Sequence, residues 1–575
     1  MRNKEIAGIF YEMADLLEAQ DVEWKPAAYR KAARSIESLP DAIEDVYAKG
    51  GVKSLRGIAG VGEHIAAKIE EYLKTGDVKE FERIRKKTPE AVTALMGLEG
   101  MGPKRAMLLY KKLKIKSIAD LKKAVEAHKI AKLAGFGLKS EQNILANIQM
   151  FERGHERMLL GEALPLSREL VAQLKKLKEV RQIEVGGSIR RGKETIGDVD
   201  ILVTSSKPVK VIDRFASLPE VSRVLAKGPT KCTVVLNNNR QADVRVLPDR
   251  EFGAALQYFT GGLEHNVALR RIAIEKGYKL NEYGLFNRKT NAFVAGKTEE
   301  EVYKKLGLRY IEPELRENSG ELEAARSGKL PNLVKMGDIK GDLQMHTKWS
   351  DGSHTIEEMA AAARALGYQY VCITDHSKSE HIAHGLEEKR LEQYIEAVRL
   401  VARKFRDMKI LVGSEVDILG DGSLDYSDDI LKRLDIVIAS LHSGWKMPAD
   451  RMTRRVLKAL ENKNVDIFGH PTGRKINIRA PANLDIGEVI KLAADRGVVL
   501  EVDAMPDRLD LKDTHVREAI KAGCKIAIDT DAHDFNQLRF MEFGVLTARR
   551  GWAEAKDVVN TYPYEKLKKV FRKLK

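Results

Sequence analysis

Three textures of hydrophobic and polar residues succeed one another along the chain. From residue 1 to about 155, apolar positions recur at helical spacing with almost no β-branched alternation, and glycine-rich turns interrupt them. This predicts helices joined by tight turns. From about 156 to 315, strand-like runs (QIEVGGSIRRG, DVDILV, CTVVLN, ADVRVL) alternate with helical ones. A polar stretch from about 312 to 335 reads as a linker. Beyond it, short apolar strands recur at roughly thirty-residue spacing with helical patterns between them, as expected of repeated βα units.

Three of the N-terminal turns resemble one another: LRGIAGVGEHIAAKI (55–69), LMGLEGMGPKRAMLL (95–109) and LAGFGLKSEQNIL (133–145). A glycine hairpin leading into a helix with exposed N–H groups forms a phosphate cradle, the pattern of helix-hairpin-helix modules. A single such turn needs glycine for backbone reasons alone. Three copies in one segment, with Lys111, Lys112, Lys114, Lys116, Lys122 and Lys123 after the second, favour contact with a nucleic-acid backbone.

The middle texture carries GGSIRRGKETIGDVDILV (186–203). Asp198 and Asp200 are two apart on a strand, so both carboxylates share one face and Val199 takes the other. A second strand, QADVRVL (241–247), places Asp243 within reach. Three clustered carboxylates repel one another unless cations neutralise them, and two Mg²⁺ ions held this way suit phosphoryl transfer. Gly186, Gly187 and Ser188 let backbone approach phosphate, and Arg190 and Arg191 offer forked donors.

In the last texture, seven strand-like segments end in polar residues: 341–346, 370–376, 409–417, 435–442, 465–471, 498–504 and 525–533. Residues at the carboxyl ends of parallel strands converge on one face of a barrel. Nine of the thirteen histidines lie beyond residue 340, which places the chemistry there. His346, Asp351, His376, Glu415, His442, His470, Asp531 and His533 mix imidazole with carboxylate, the ligand types of Zn²⁺, Mn²⁺ or Fe²⁺ hydrolases. Asp375, Asp503 and Asp529 are placed to orient ligands from behind. His354, His381 and His384 read as loop residues flanking the site.

Composition narrows the class. With 43% hydrophobic and 32% charged residues the chain builds cores and is neither membrane-embedded nor disordered. No run approaches the roughly 20 apolar residues of a membrane span, and the start, MRNKEIAGIF, lacks the order of a signal peptide, so the expected compartment is the cytoplasm. Cys232, Cys372 and Cys524 sit in apolar runs and read as core residues. A formal charge of +15 suits a polyanionic partner, although a charge-rich solvated surface has the same arithmetic.

The GGS, RRG and GDVD pattern, followed by YFTGGLEHN (258–266), resembles the family X DNA polymerases. The resemblance implies that Asp198 and Asp200 bind both metals and Asp243 helps activate the primer 3′-hydroxyl. Ser188, Arg191 and Gly197 would contact triphosphate, Tyr258 and Gly261 the sugar, and Asn266 the base edge. Two departures stand out: Ile196 replaces a triphosphate-binding hydroxyl of DNA polymerase beta, and Gly262-Leu263 replace the Ser-Lys frequent in bacterial relatives. AYRKAARSI (28–36) with GVGEHIAAKIEEYL (60–73) is similar to the family's lyase domain, which puts Lys68 at the Schiff-base position and Tyr29, Lys25 and Lys31 near the 5′-phosphate. The alternative is that Lys68 contacts phosphate only, and His64 replaces a lysine of that family here.

The C-terminal segment resembles the polymerase and histidinol phosphatase (PHP) domain, which hydrolyses phosphoesters with up to three metals. The eight ligands above match its motifs, with His346 and His442 in catalytic positions, while Gln344 replaces the first histidine of H-x-H and weakens one metal position. The expected architecture is multidomain α plus α/β: a helix-hairpin-helix lyase-like domain (1–80), a helical fingers-like domain (81–155), a polymerase-beta-like nucleotidyltransferase palm (156–250), a thumb (251–315), a linker (316–335) and a distorted (β/α)7 TIM-like PHP barrel (336–575). The hairpin residues Gly60, Gly62, Gly100, Gly102 and Lys104 would meet DNA. The implied activities are gap-filling synthesis on gapped or nicked DNA from dNTPs with Mg²⁺, of base excision repair type, and 3′-5′ exonuclease or abasic-site cleavage with Mn²⁺ or Zn²⁺. The rivals are a PHP nuclease or phosphatase whose polymerase core only positions DNA, and a non-enzymatic DNA-binding scaffold. Nothing in the sequence demands more than a monomer.

Overall fold

Glycine and proline place the N-terminal helix boundaries. Gly62 caps the helix Glu63–Thr75, which ends at Gly76 in the left-handed conformation, and Gly102 precedes Pro103–Leu113 with proline in its first turn. The computed structural model describes residues 2–37, 39, 42–96, 101–133, 136–138, 140–142, 144, 145, 148, 157–571, 573 and 574. Gly100 and parts of the third hairpin (134, 135, 139 and 143) lie outside the described residues. The chain divides into two units, 1–156 with 270–275, and 157–269 with 276–575.

The first unit is helical. Ile6, Phe10, Met13, Ala32, Ile36, Leu55, Ile65 and Ile69 form one buried cluster, and Val92, Leu95, Ala106, Leu109 and Leu121 form another. The first hairpin, between Gly51–Leu55 and Glu63–Thr75, turns at Gly60 with φ +82°, where a side chain would sit 2.9 Å from Lys31 Cγ.

The second unit opens with a five-stranded sheet: β1 (Val180–Val185), β2 (Asp198–Ser205), β3 (Val221–Lys227), β4 (Lys231–Leu236) and β5 (Gln241–Leu247), in the order β1-β2-β5-β4-β3. The β2–β5 pair is parallel and the other pairs antiparallel. One strand escapes the sequence pattern: β3 is largely exposed, so no apolar run marks it. A small antiparallel sheet follows the helices Phe252–Thr260 and Leu263–Glu275, formed by β6 (Tyr278–Asn281), β7 (Gly284–Asn287) and β8 (Phe293–Ala295).

The stretch read as a linker, 316–335, is no open tether. It carries the helix Glu321–Ser327, and Arg316 is fully buried with its guanidinium 2.6 Å from Glu299, which also takes a bidentate pair from Arg190. Polar composition concealed a buried ionic cluster, because paired charges can enter a core that lone ones cannot.

Seven parallel strands form the barrel: β9 (Gly341–Asp342), β10 (Tyr370–Ile373), β11 (Lys409–Asp417), β12 (Ile436–Ser440), β13 (Ile467–Phe468), β14 (Val499–Asp503) and β15 (Ile526–Asp529). They pair in sequence order, and a parallel bridge between Met345 and Ala532 joins the first segment to the last. Alternate residues such as Tyr370, Cys372, Ile436 and Ile438 fill one apolar cluster with Leu567 and Phe571, while Val371, Ile373, Val437 and Ala439 join the cluster that contains the surrounding helices. Both strand faces are thus buried, as parallel sheets require. Leu509 and Phe543 pack into the core of the five-stranded sheet, and Arg168–Glu542 and Arg474–Glu194 (both 2.7 Å) tie the same two parts together. All three cysteines are buried and unpaired. Among the described residues no helix is long and apolar enough to cross a membrane.

Candidate active and metal-binding sites

Register decides the first site. In the parallel β2–β5 ladder Asp200 lies directly opposite Asp243, and Asp198 lies opposite Gln241, so the three carboxylates share one face. Val199, between them, is fully buried on the other. Thr233 Oγ1 donates to Asp243 Oδ1 at 2.5 Å and Gln241 Nε2 to Oδ2 at 2.7 Å, which fixes the rotamer, and Lys231 Nζ stands 3.4 Å away. Burial, then the charges of Asp198 and Asp243, push the Asp200 carboxyl up to about 7. Asp198 is raised by burial and Asp243. A cluster that must bind protons to relieve its own repulsion fits divalent cations.

The predicted phosphate-binding segment abuts this site. Gly187 has φ +62°, and a Cβ there would lie 2.8 Å from Asp200 Oδ2, so the backbone passes directly beside the carboxylate. Ser188 follows in the short helix Gly187–Arg190, and Gly197 lies exposed beside the Arg157 guanidinium. Arg191 is engaged: its Nε is 3.2 Å from Glu317, and Nη1 donates to the Thr260 carbonyl. Tyr258 is half-buried, and Gly261 ends the helix Phe252–Thr260 at φ +72°. Asn266 faces inward at 8% exposure, accepting from Gln257 Nε2 and donating to the Tyr258 carbonyl, both at 2.7 Å.

The barrel mouth gathers all eight expected ligands. Glu415, near the end of β11, is central: His376 Nδ1 and His442 Nε2 lie 3.2 Å from it and His470 Nε2 2.7 Å. His346 Nε2 is 3.0 Å from Asp531, and His533 Nε2 3.3 Å from Asp351. The His346 ring stacks between those of His376 and His533 at 4.4 and 4.2 Å. Among the described residues four groupings bring ligand atoms within 4.8 Å of one another: His346, Asp351, His376 and His533; His376, Glu415 and His442; His346, Glu415 and Asp531; and, with two residues outside the expected eight, Glu380, Asp417 and His442.

Orphaned atoms test the fit. Both ring nitrogens of His346, Nδ1 of His376 and His470, and one oxygen of Glu415 are buried without a hydrogen bond. Such groups are costly to leave unpaired, and lone pairs converging on common points are what cations require. Burial drives His376 down to about 3. Burial also pulls on His442, yet Glu415 and Asp417 outweigh it and raise the ring to about 10. Gln344 is buried in the first-histidine position; its Nε2 donates to Asp531 at 3.3 Å, and its Oε1 is an orphan.

Behind the ligands, Asp375 accepts from the Thr347 and Ser350 backbone N–H groups at 2.9 and 3.0 Å and clasps the loop bearing His346 and Asp351. Asp529 accepts from Leu343 N at 2.8 Å, and Asp503 from Met505 N at 2.7 Å. Sequence reasoning missed Asp417, which accepts from His442 Nδ1 and so directs Nε2 towards the cavity. The signal was present, since Glu415 and Asp417 are two apart on one strand. It also missed the cationic lining. Lys475, Arg479 and Arg508 join the ligands around a cavity of ≈ 260 Å³.

In the helical unit Gly60, Gly62, Gly102, Lys104, Lys25 and Lys31 are exposed. Lys68 Nζ lies 2.8 Å from Glu80. Burial lowers its pKa, but Glu80 and Tyr29 outweigh burial and raise it, the reverse of the depression expected from a purely basic pocket.

Comparison with known proteins places these features in context. Family models match at 1–78 (Helix-hairpin-helix domain), 92–149 (SAM-like Helix-hairpin-helix tandem), 160–228 (DNA polymerase beta palm), 255–317 (DNA polymerase beta thumb) and 342–504 (PHP domain). The DNA polymerase/3′-5′ exonuclease PolX of Bacillus subtilis (strain 168) is 38% identical over 563 residues, covering 97% of both chains. A probable phosphatase of Thermoanaerobacter sp. (strain X514) is 33% identical over 248 residues, 40% of this chain and 95% of its own. DNA polymerase lambda of Rattus norvegicus is 25% identical over 333 residues, 53% of this chain and 54% of its own.

Proposed function

The chain belongs to the family X DNA polymerases that carry a C-terminal PHP domain, and on that premise we propose that it fills short gaps in DNA repair and trims 3′ ends with its barrel. The observation that carries the reading is the presence, in one chain, of two separate anionic centres built for cations: an in-register carboxylate face on a sheet and a ligand-lined barrel mouth. A scaffold needs neither. Asp198, Asp200 and Asp243 would hold Mg²⁺, and the eight barrel ligands Mn²⁺ or Zn²⁺. When bound, these cations supply neutralising charge and Lewis acidity at the phosphate under attack.

The chain's own residues do the rest. Thr233 and Gln241 hold Asp243 turned towards Asp200, oriented to draw the proton from a primer 3′-hydroxyl. The backbone at Gly187 and Ser188 admits the triphosphate, and Arg191 exchanges Glu317 for it. Pyrophosphate then departs against the same guanidinium. In the barrel, Asp375 and Asp417 orient ligand groups, while Lys475, Arg479 and Arg508 draw the terminal phosphodiester into the cavity. Gapped or nicked duplex and dNTPs are the substrates. The hairpins at Gly60–Gly62 and Gly102–Lys104 grip the DNA backbone without reading sequence, and the protein acts as a monomer in the cytoplasm.

Two reactions on gapped duplex test this across Mg²⁺, Mn²⁺ and Zn²⁺: extension with dNTPs, and loss of 3′-terminal nucleotides without them. Both activities are expected, with different preferred metals. Extension without degradation under any metal would confine the barrel to another role, and degradation without extension would refute the polymerase half.

A further inference from the structure

Both centres are ringed by carboxylates, so a DNA strand passing between them needs cations from elsewhere. The loop 473–483, between β13 and the helix Ile486–Arg496, supplies them. Lys475 and Arg479 line the metal cavity with Arg508, and the same two line an adjoining cavity with Glu194, Arg474, Asn477 and Ile478. From there the loop touches the palm. Asn477 Nδ2 donates to the Arg157 carbonyl at 2.9 Å, Arg474 pairs with Glu194 at 2.7 Å, and Ile476 packs on the palm core. Arg157 in turn lies against Gly197, next to Asp198, whose carboxylate feels its charge. A chain of contacts therefore runs from the carboxylate face of the sheet to the barrel mouth.

Part of the positive charge along it is already matched, since Arg508 lies 3.3 Å from Asp503 and 3.8 Å from Asp531 and Arg474 pairs with Glu194, but Arg157, Arg479 and Lys475 keep theirs largely available. Arg157 donates to Thr195, and Arg479 to the Gly473 carbonyl, but neither is ion-paired to a carboxylate among the described residues. Among the described residues, Lys475 pairs with Asp507 alone, at 3.8 Å. Arg479 is half-buried with Arg508 as a like-charged neighbour, a congestion that an anion relieves. Apolar surface flanks the strip. Ile478 is 75% and Ile382 92% exposed, large apolar side chains at the sides of cavities that the cations also line. Cations spaced along a groove with apolar contacts beside them are the chemistry of single-stranded nucleic acid, whose phosphates and unstacked bases need both.

We propose that Arg157, Lys475, Arg479 and Arg508, with Ile478 and Ile382, form a track that carries a frayed single-stranded 3′ end from the palm to the barrel without release of the DNA. The inference rests on the two-centre reading above. It differs from a solution pathway, in which the end leaves one centre and is captured afresh by the other.

Two measurements on the full chain test it. The first is binding of a duplex with a phosphorothioate-protected single-stranded 3′ overhang in Mg²⁺, followed against salt. Lys475→Gln and Arg157→Gln should each reduce the slope of log K against log salt by about 0.7, one single-strand phosphate contact. The second mixes prebound primer carrying a mismatched 3′ end with a heparin trap and scores the fraction degraded before dissociation. Arg157→Gln should lower that fraction roughly fivefold, as expected for one lost contact of about 1 kcal/mol, yet degrade free single-stranded oligonucleotide at the wild-type rate. Lys475→Gln should slow both, with Lys475→Arg restoring them. Unchanged slopes, or an unchanged degraded fraction in Arg157→Gln, would overturn the track. A wild-type protein that degrades no 3′ end under any metal defeats the exonuclease reading instead, and the salt slopes then still decide whether the strip binds single strands.

Discussion

Replacing Gly187 with alanine separates backbone strain from damage to the carboxylate face. At φ +62° an alanine costs about 1–2 kcal/mol, a modest part of a typical domain stability of about 5–15 kcal/mol, so the protein remains folded. The added Cβ, however, lies 2.8 Å from Asp200 Oδ2, and the carboxylate must retreat by roughly 0.6 Å to reach ordinary contact. Misplacement by about 1 Å costs up to about a hundredfold in rate, so a loss of roughly tenfold to a hundredfold in single-turnover incorporation of one dNTP into a one-nucleotide gap is expected. Gly277→Ala is the matched control: its φ is +78° and nothing lies within 4 Å of the added atom. It should lose comparable thermal stability and keep its incorporation rate. If Gly187→Ala incorporates within twofold of Gly277→Ala, the Asp200 carboxylate does not have the positional role argued for it.

Arg316→Ala leaves Glu299 with Arg190 as its remaining cationic partner and should destabilise the protein by about 3–5 kcal/mol in denaturant unfolding, with Arg316→Ala/Glu299→Gln recovering part of the loss. Burial would raise the Glu299 carboxyl, but Arg316 and Arg190 hold it at about 2, below its usual value. Its contribution to stability is therefore present above the ordinary carboxylate range and lost as pH falls towards 2, so Glu299→Gln should flatten the acid limb of the unfolding profile. Gln344→His restores an imidazole among the barrel ligands and should raise the tightly bound metal, measured by plasma mass spectrometry, by one equivalent; an unchanged content would show that Gln344 does not limit occupancy. Because Glu80 keeps Lys68 protonated, borohydride trapping on an abasic 5′ end should be weak in the wild type and stronger in Glu80→Gln, and equal trapping in Lys68→Ala would assign the chemistry to another amine.

What the sequence disclosed follows from the range of the interactions involved. Asp198-x-Asp200 was legible because a strand has a period of two, and the barrel ligands because they cluster at or beyond the carboxyl ends of apolar strands, Glu415 within one. Asp243 was reachable only as a candidate: its register opposite Asp200 depends on a pairing forty-three residues away in the chain. Arg316, Glu299 and Arg190 were invisible as a unit, since nothing local shows that three separated charges will be buried together, and polar composition made 316–335 look like a linker. Likewise the expectation that Arg191 contacts triphosphate came without its partners: Glu317 pairs with it, and Arg550 from the barrel reaches both Glu317 and the Arg191 carbonyl at 3.1 and 2.9 Å. The cationic cavity lining comes from three points on two loops with no shared motif, and only the fold assembles it.

The most direct test of two independent centres in one chain crosses two variants with two reactions on the same gapped duplex. Asp200→Asn should abolish dNTP incorporation and keep 3′-end degradation, while His442→Ala should abolish degradation and keep incorporation. If either variant, folded by circular dichroism and thermal unfolding, loses both activities or neither, the assignment of one reaction to each centre is wrong.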